Sequence, residues 1–318
     1  MTKITAKAHT NIALIKYWGK ANVALNIPTT SSLSMTLDKF YTTTSVKFDE
    51  NLSSDQLNLN GQDVNSERVS KYLDIFRHEF VNFPAVQITS ENHVPTAAGL
   101  ASSASSFAAL SAAMFRLLEL PEDLTMMSRM ARRGSGSASR SLFGNFALWN
   151  KVNSDENSFA ESFYNKDIGL SMIVAEISSA EKKMSSTKGM QLAQTAPTYA
   201  DWVKKSALQL DDMKVAILQE DIEKVGLIAE NNALEMHQQN RNCREPFDYF
   251  TSETLGIIDF VQAAYRSGML AFVTLDAGPN VKIITDRATE GKLLQKLQEN
   301  FPTISFDVAH AGGDFEYV

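Results

Sequence analysis

Pro95-Thr96-Ala97-Ala98-Gly99-Leu100-Ala101-Ser102-Ser103-Ala104-Ser105-Ser106 is the stretch on which the reading of this chain turns. It is a run of small residues opened by a proline and followed by an apolar segment. Phe107, Leu110, Met114, Leu117 and Leu118 recur at spacings of three and four, as one face of a helix over 107–118 would. Gly99 lets the backbone turn where a side chain would clash. Ser102 or Ser103 can cap the helix. Unpaired N–H groups at a helix start, with the helix dipole, favour an anion, and the serine hydroxyls add donors. Composition and position are those of a phosphate cradle. An ordinary N-capped core helix behind a Ser-rich turn shares that composition, so other stretches must decide. This is not a Walker loop, since Gly-x-x-x-x-Gly-Lys-Ser/Thr occurs nowhere. Gly134-Ser135-Gly136-Ser137-Ala138-Ser139 lacks the third glycine of a dinucleotide fingerprint.

The surrounding chain is of ordinary globular composition, 318 residues with 44% hydrophobic and 21% charged. Its length suggests about two domains. No apolar run reaches the ~18 residues of a membrane span, and the N-terminal segment with Lys3, Lys7, His9, Lys16 and Lys20 has no signal-peptide core. No membrane partner is expected. The single cysteine, Cys243, excludes an internal disulfide and suggests a reducing, cytoplasmic setting. The five histidines show no zinc-ligand spacing. A net charge of −7 argues against nucleic-acid binding, which wants a basic face. A polyanionic substrate would therefore need locally gathered cations. Three groups qualify: Lys16 and Lys20; Arg132, Arg133 and Arg140; Lys182, Lys183 and Lys188.

Working outward, residues 8–17 read as a short strand ending in Lys16-Tyr17-Trp18-Gly19-Lys20. Two lysines four apart across two aromatics and a glycine are either a solvated pair or two ammonium groups facing one anionic site. Residues 42–48 alternate as a strand, Asn60-Gly61 marks a hairpin, and 66–81 read as a helix. Arg68 sits in that helix's first turn, where a cation opposes the dipole, which favours another role such as holding an anion. A strand over 85–89 leads into the organising loop. A Met-rich helix over 124–133 runs into a second Gly/Ser/Arg nest at 133–141. Strands are expected at 146–150 and 170–175. Beyond a soft boundary near residue 180 the pattern turns mainly helical, at 199–218, 221–239, 252–267 and 287–299. Strands fall at 271–275, 281–285 and 304–308, and the first of these ends in Asp276-Ala277-Gly278-Pro279-Asn280.

Read together, these stretches resemble a known family. Pro95, Gly99, Leu100, Ser102, Ser103 and Ala104 match the phosphate loop of the GHMP kinase superfamily. Residues 11–20, 135–141 and 275–280 resemble its diphosphomevalonate decarboxylase branch. Ala101, where the kinases carry glycine, agrees with that branch. The resemblance implies an α+β, two-domain GHMP kinase fold: an N-terminal domain over 1–180 like the second domain of ribosomal protein S5, and a ferredoxin-like C-terminal domain over 181–318. It implies ATP-dependent decarboxylation of (R)-5-diphosphomevalonate to isopentenyl diphosphate, a homodimer, and Mg²⁺ on ligands the sequence does not identify. By the same resemblance the catalytic residues are Asp276, Lys16 and Arg140. Substrate contacts fall to Tyr17, Trp18, Gly19, Lys20, Arg68, Ser135, Gly136, Ser137, Ala138, Ser139, Arg140, Ser185, Ser186 and Thr187. ATP falls to Pro95, Gly99, Leu100, Ala101, Ser102, Ser103, Ser105 and Ser106, with Lys182 and Lys183, which a solvated surface pair explains as well. A kinase of the same fold that does not decarboxylate, and a binding protein that has lost catalysis, are the alternatives. The intact Asp276 and phosphate loop weigh against the second.

Overall fold

The computed structural model describes residues 2–93, 102–177 and 184–318, with Ser102 described by its backbone alone. Pro95, Gly99, Leu100, Ala101, Lys182 and Lys183 lie outside the described residues, so the cradle is seen from the helix that follows it.

In the first half the strands are β1 (Ile4–Ile15), β2 (Lys20–Asn22), β3 (Ile27–Pro28), β4 (Ser32–Phe48), β5 (Gln56–Leu59), β6 (Gln62–Val64), β7 (Val86–His93), β8 (Phe146–Trp149) and β9 (Ala160–Tyr164). The helices are α1 (Glu67–Glu79), α2 (Ser102–Leu117) and α3 (Leu124–Gly134), and a 3₁₀ turn covers Gly136–Arg140. In the second half lie β10 (Leu170–Glu176), α4 (Ser186–Ala193), α5 (Tyr199–Leu218), α6 (Ile222–Asn242), α7 (Ser252–Arg266), β11 (Phe272–Leu275), β12 (Val281–Asp286), α8 (Arg287–Asn300), β13 (Ser305–Ala309) and β14 (Glu316–Tyr317).

Among the described residues, β1, β4 to β9 and β14 form an eight-stranded sheet. It is antiparallel except where β5 runs parallel to β7. A four-stranded antiparallel sheet has the order β11-β12-β10-β13. Strand β10 precedes residue 180 yet pairs in this second sheet, while β14 returns the chain end to the first.

Helix α2 differs from the one-faced helix its spacing predicts. Phe107, Leu110 and Met114 are buried, but so are Ala104, Ala108, Ala109, Ala112 and Ala113. Alanine on the remaining faces lets the helix sit against β1 and β4 with α3 and α1 closing over it. Helix α6 touches β1 of the first sheet and β11 and β12 of the second. One core cluster runs through both halves, joining Ile12, Leu14 and Ile15 to Met172, Val174, Ala229 and Phe272. Burial of such side chains stabilises by about 1.5–3 kcal/mol each. The second sheet is thereby docked on the end of β1, where the Lys16–Lys20 segment begins.

Candidate active site

A cleft of about 540 Å³ opens between the halves, with the Lys16–Lys20 segment along one wall and Asp276 on the other. Ser103 at the start of α2, the 3₁₀ turn and residues 185–187 complete it.

Neighbouring elements hold the Lys16–Gly19 wall at several points. The Lys16 N–H donates to Asn232 Oδ1 on α6 (2.8 Å), and the Lys16 carbonyl accepts from Thr30 Oγ1 (3.1 Å). Trp18 donates its indole N–H to Asn240 Oδ1 (2.9 Å), and its carbonyl accepts from Tyr199 OH (2.8 Å). Gly19 has φ 129°, and a Cβ there would lie 2.3 Å from Thr29 Oγ1 and 1.9 Å from the Tyr199 hydroxyl, so only glycine fits. The wall is therefore set before any ligand arrives.

The floor is buried charge. Lys16 Nζ donates to Asp276 Oδ1 (2.9 Å) and to the Ala13 carbonyl (2.8 Å). Burial pulls the Lys16 ammonium below the ordinary lysine range, and the Asp276 carboxylate opposes that pull. Arg140 is 2% exposed. Its Nε donates to Asn11 Oδ1 (3.2 Å) and Ser34 Oγ (3.0 Å), and its Nη1 to Ser32 Oγ. Nη2 stands outside these bonds. Burial lowers this guanidinium to about 10, which leaves it charged at neutral pH. Tyr17 leans on Trp149, and its buried hydroxyl has no hydrogen-bond partner among the described residues. A Cβ at Gly136 would come within 2.6 Å of the Tyr17 ring, so the 3₁₀ turn can approach only as glycine.

The mouth is looser. Lys20 Nζ donates to Asn26 Oδ1 (2.7 Å) and Thr187 Oγ1 (3.2 Å). Arg68 reaches across from α1, donating to the Gly134 carbonyl (3.3 Å) with its guanidinium over Phe107. Ser135 Oγ lies 3.2 Å from Ser103 Oγ. Ser185 caps α4, with Ser186 and Thr187 behind it. A second cleft of about 560 Å³, lined by Asn65, Arg68, Tyr72, Phe107 and Arg133 among others, adjoins this mouth.

The structure thus brings Lys16, Tyr17, Trp18, Lys20, Arg68, Ser103, Ser135, Gly136, Ser137, Arg140, Ser185, Ser186, Thr187 and Asp276 to one cleft. Others of the expected set face elsewhere. Ala138 is core, and Ser139 donates to the Gly136 carbonyl inside its own turn. Ser105 bonds Thr42 and Thr10, and Ser106 bonds Asn92 and Thr42, tying α2 to the sheet. Lys282 was not anticipated: it is buried and lies 3.4 Å from Asp276 Oδ2. Its signal was a lysine inside the apolar strand Val281-Lys282-Ile283-Ile284.

Comparison with known proteins shows the family. A diphosphomevalonate decarboxylase-like N-terminal domain matches residues 8–160, and a mevalonate 5-diphosphate decarboxylase C-terminal domain matches 172–312. The chain belongs to the diphosphomevalonate decarboxylase family. Its relatives in that family include the diphosphomevalonate decarboxylase of Candida albicans, 34% identical over 95% of this chain and 89% of the relative. The Saccharomyces cerevisiae enzyme is 33% identical over 96% and 83%. The crystal structure of mevalonate diphosphate decarboxylase from Staphylococcus aureus superposes with TM-score 0.95 at 40% identity, over 99% of this chain and 98% of that one. A structure of MDDEF in complex with MVAPP, AMPPCP and magnesium superposes with TM-score 0.95 at 41% identity, with the same coverage. The fold is accordingly the α+β GHMP kinase fold of the family.

Proposed function

We propose that the cleft carries out the family's reaction with Asp276, Lys16 and Arg140 at its centre. The chain is an enzyme of the mevalonate pathway. It converts ATP and (R)-5-diphosphomevalonate to isopentenyl diphosphate, CO₂, ADP and phosphate. The observation that carries the residue assignment is Asp276, the single carboxylate among the described lining residues, held by Lys16 in a cleft otherwise rich in cations and hydroxyls.

The substrate's tertiary C3 hydroxyl is a poor nucleophile, and hydroxide a poor leaving group. Asp276 beside that hydroxyl takes its proton or orients it toward the γ-phosphoryl group. Once phosphate leaves, positive charge develops at C3, and the same carboxylate stabilises it. Arg140 Nη2 and the Lys16 ammonium hold the C1 carboxylate until it departs as CO₂. Lys20 and Arg68 receive the diphosphate at the mouth, with Ser185, Ser186 and Thr187. Ser103 and the start of α2 face the transferred phosphate. The adjoining cleft between α1 and α2 suits the nucleoside.

Mg²⁺ accompanies ATP. Among the described residues no cluster of three or more His, Cys, Asp or Glu could cage an ion. That fits Mg²⁺, which keeps waters and substrate phosphates as ligands and takes few from protein. The Ser103 and Ser135 hydroxyls would complete its shell. When bound it neutralises phosphate charge.

A homodimer in the cytoplasm completes the proposal. The buried, unpaired Cys243 supports a reducing compartment, and among the described residues no helix is long and apolar enough to cross a membrane. The test is to mix the protein with ATP, Mg²⁺ and mevalonate 5-diphosphate and to measure ADP and CO₂ in one tube. Equal amounts are expected. ADP without CO₂ would mean a kinase, and the roles of Lys16 and Arg140 would have to be redrawn.

A further inference from the structure

We propose that Lys282 is a positioning residue for the reaction, acting through Asp276 as the second of two buried ammonium groups that clamp its carboxylate. The inference rests on the reading of Asp276 given above.

Lys282 lies on β12, a central strand flanked by β11 and β10, opposite Thr274 and Val174. Its side chain is 2% exposed. A charged group so placed is costly to desolvate unless it is paired. The sheet gains nothing from it, because methionine or isoleucine would fill the same space without that cost. Its ammonium meets the Asn280 carbonyl at 3.4 Å and Asp276 Oδ2 at 3.4 Å. Lys16 meets the other oxygen, Oδ1, at 2.9 Å. One lysine on each oxygen fixes both the charge and the plane of the carboxylate. Asp276 itself is 29% exposed, reaching the cleft from between two ammonium groups that hardly see solvent. Lys282 does not line the cleft, so any effect it has on the substrate passes through Asp276.

Among the described residues, the charged and titratable groups that face this pair come from separate elements. Lys16 directly follows β1, Arg140 is on the 3₁₀ turn and Lys282 on β12. His237 on α6 is held neutral, its imidazole pushed down to about 3 by burial. Tyr17 is kept neutral by burial. Removing Lys282 therefore has a two-sided signature. Asp276 loses a cation, so it takes up a proton at higher pH. Lys16 loses a like charge that holds its ammonium down, so it keeps its proton to higher pH. Both limbs of the kcat profile move alkaline together.

The experiment measures kcat, KM and their pH profiles for Lys282→Met and Lys282→Arg, with wild-type protein in the same ADP and CO₂ assay. Wild-type turnover tests the functional reading separately, and Asp276→Asn in the same assay tests the carboxylate. The expected result for Lys282→Met is a folded protein by circular dichroism and a KM for the diphosphate substrate within about threefold of wild type. Its kcat should fall tenfold or more, with both limbs displaced upward. Lys282→Arg keeps the charge, so it should recover most of kcat and leave the limbs in place. A folded Lys282→Met with unchanged kcat and limbs overturns the proposal, as does a Lys282→Arg whose limbs move as far as those of the methionine variant. If Lys282→Met does not fold, the arginine variant decides by the same two readings: limbs in place support the clamp, and displaced limbs refute it.

Discussion

At the floor of the cleft, Lys16 and Arg140 make several short contacts with β1, β4 or Asp276 and are almost wholly buried, and Asp276 pairs with Lys16 and Lys282. At the mouth, among the described residues, the Lys20 ammonium has two polar partners, and Arg68 has one long bond to a carbonyl and a ring beneath it. Both regions are cationic, yet they suit different tasks. Groups already paired and dry act on small changes of charge at a fixed point, which is what the C3 centre and its carboxylate demand. Groups that are under-used and half solvated can turn to meet a flexible, multiply charged tail, at the expense of side-chain ordering. Variants of the floor should therefore strike kcat, and variants of the mouth should strike KM.

The largest effect is expected at Asp276. Asp276→Asn keeps the shape and an oxygen acceptor for Lys16 but loses the charge. It should lower kcat by about 10³-fold, or roughly 4 kcal/mol, with substrate binding by calorimetry changed only a few-fold. A loss of fold or of binding instead would break the contrast, because the carboxylate would then be holding the site together.

Arg140→Ala comes next. It removes the donor that Asn11, Ser32 and Ser34 share, and bonds to a charged group are worth about 1.5–3 kcal/mol each. The diphosphate substrate's kcat/KM should fall about 10²-fold or more while the KM for ATP moves little. If only the ATP constant moved, the 3₁₀ turn would face the nucleotide, and the floor would need a different occupant for its positive charge.

The same contrast explains what could be read from the sequence. Helices 199–218 and 252–267, the Asn60-Gly61 hairpin and the strands at 281–285 and 304–308 are legible because periodicity and turn chemistry are local. The Lys-Tyr-Trp-Gly-Lys and Asp-Ala-Gly-Pro-Asn segments are legible as motifs. Their meeting is not, because Lys16 and Asp276 are 260 residues apart and join only where α6 bridges the two sheets. Ser105 shows the converse. It belongs to the Ser-rich run by sequence, but one turn into α2 its hydroxyl faces Thr42 and Thr10 on the sheet instead of the cleft. The supports of the wall, Asn232, Asn240 and Tyr199, carry no motif at all. They are polar positions on amphipathic helices, and only the docking of α5 and α6 gives them partners. Strands β9 and β14 leave no clear sequence signal, because one is short and partly exposed and the other is two residues long.

At the mouth the expected effects are smaller. Lys20→Ala and Arg68→Ala should each raise the KM for the diphosphate substrate about tenfold, near 1.4 kcal/mol, with kcat within about twofold. Half-solvated charges are screened, so the penalty should shrink as salt rises. A kcat loss as large as that of Arg140→Ala would erase the distinction between floor and mouth.

The finest test uses pH. Burial lowers the Lys20 ammonium below the ordinary lysine value of 10.5, and the neighbouring Arg68 charge lowers it further. On the proposed assignment Lys20 serves the diphosphate only while protonated, so KM should climb on the alkaline side at a lower pH than an ordinary lysine would give. In Lys20→Arg, whose side chain stays charged, that climb should vanish. In Arg68→Ala the neutral-pH KM is higher, but the climb should begin at higher pH, because the like charge that drives the proton off Lys20 is gone. The two effects of one substitution have opposite signs, which no general loss of structure would produce. A climb that stays where it is in both variants would mean that Lys20 does not hold the diphosphate, and the mouth would then depend on Arg68 and the hydroxyls of Ser185, Ser186 and Thr187.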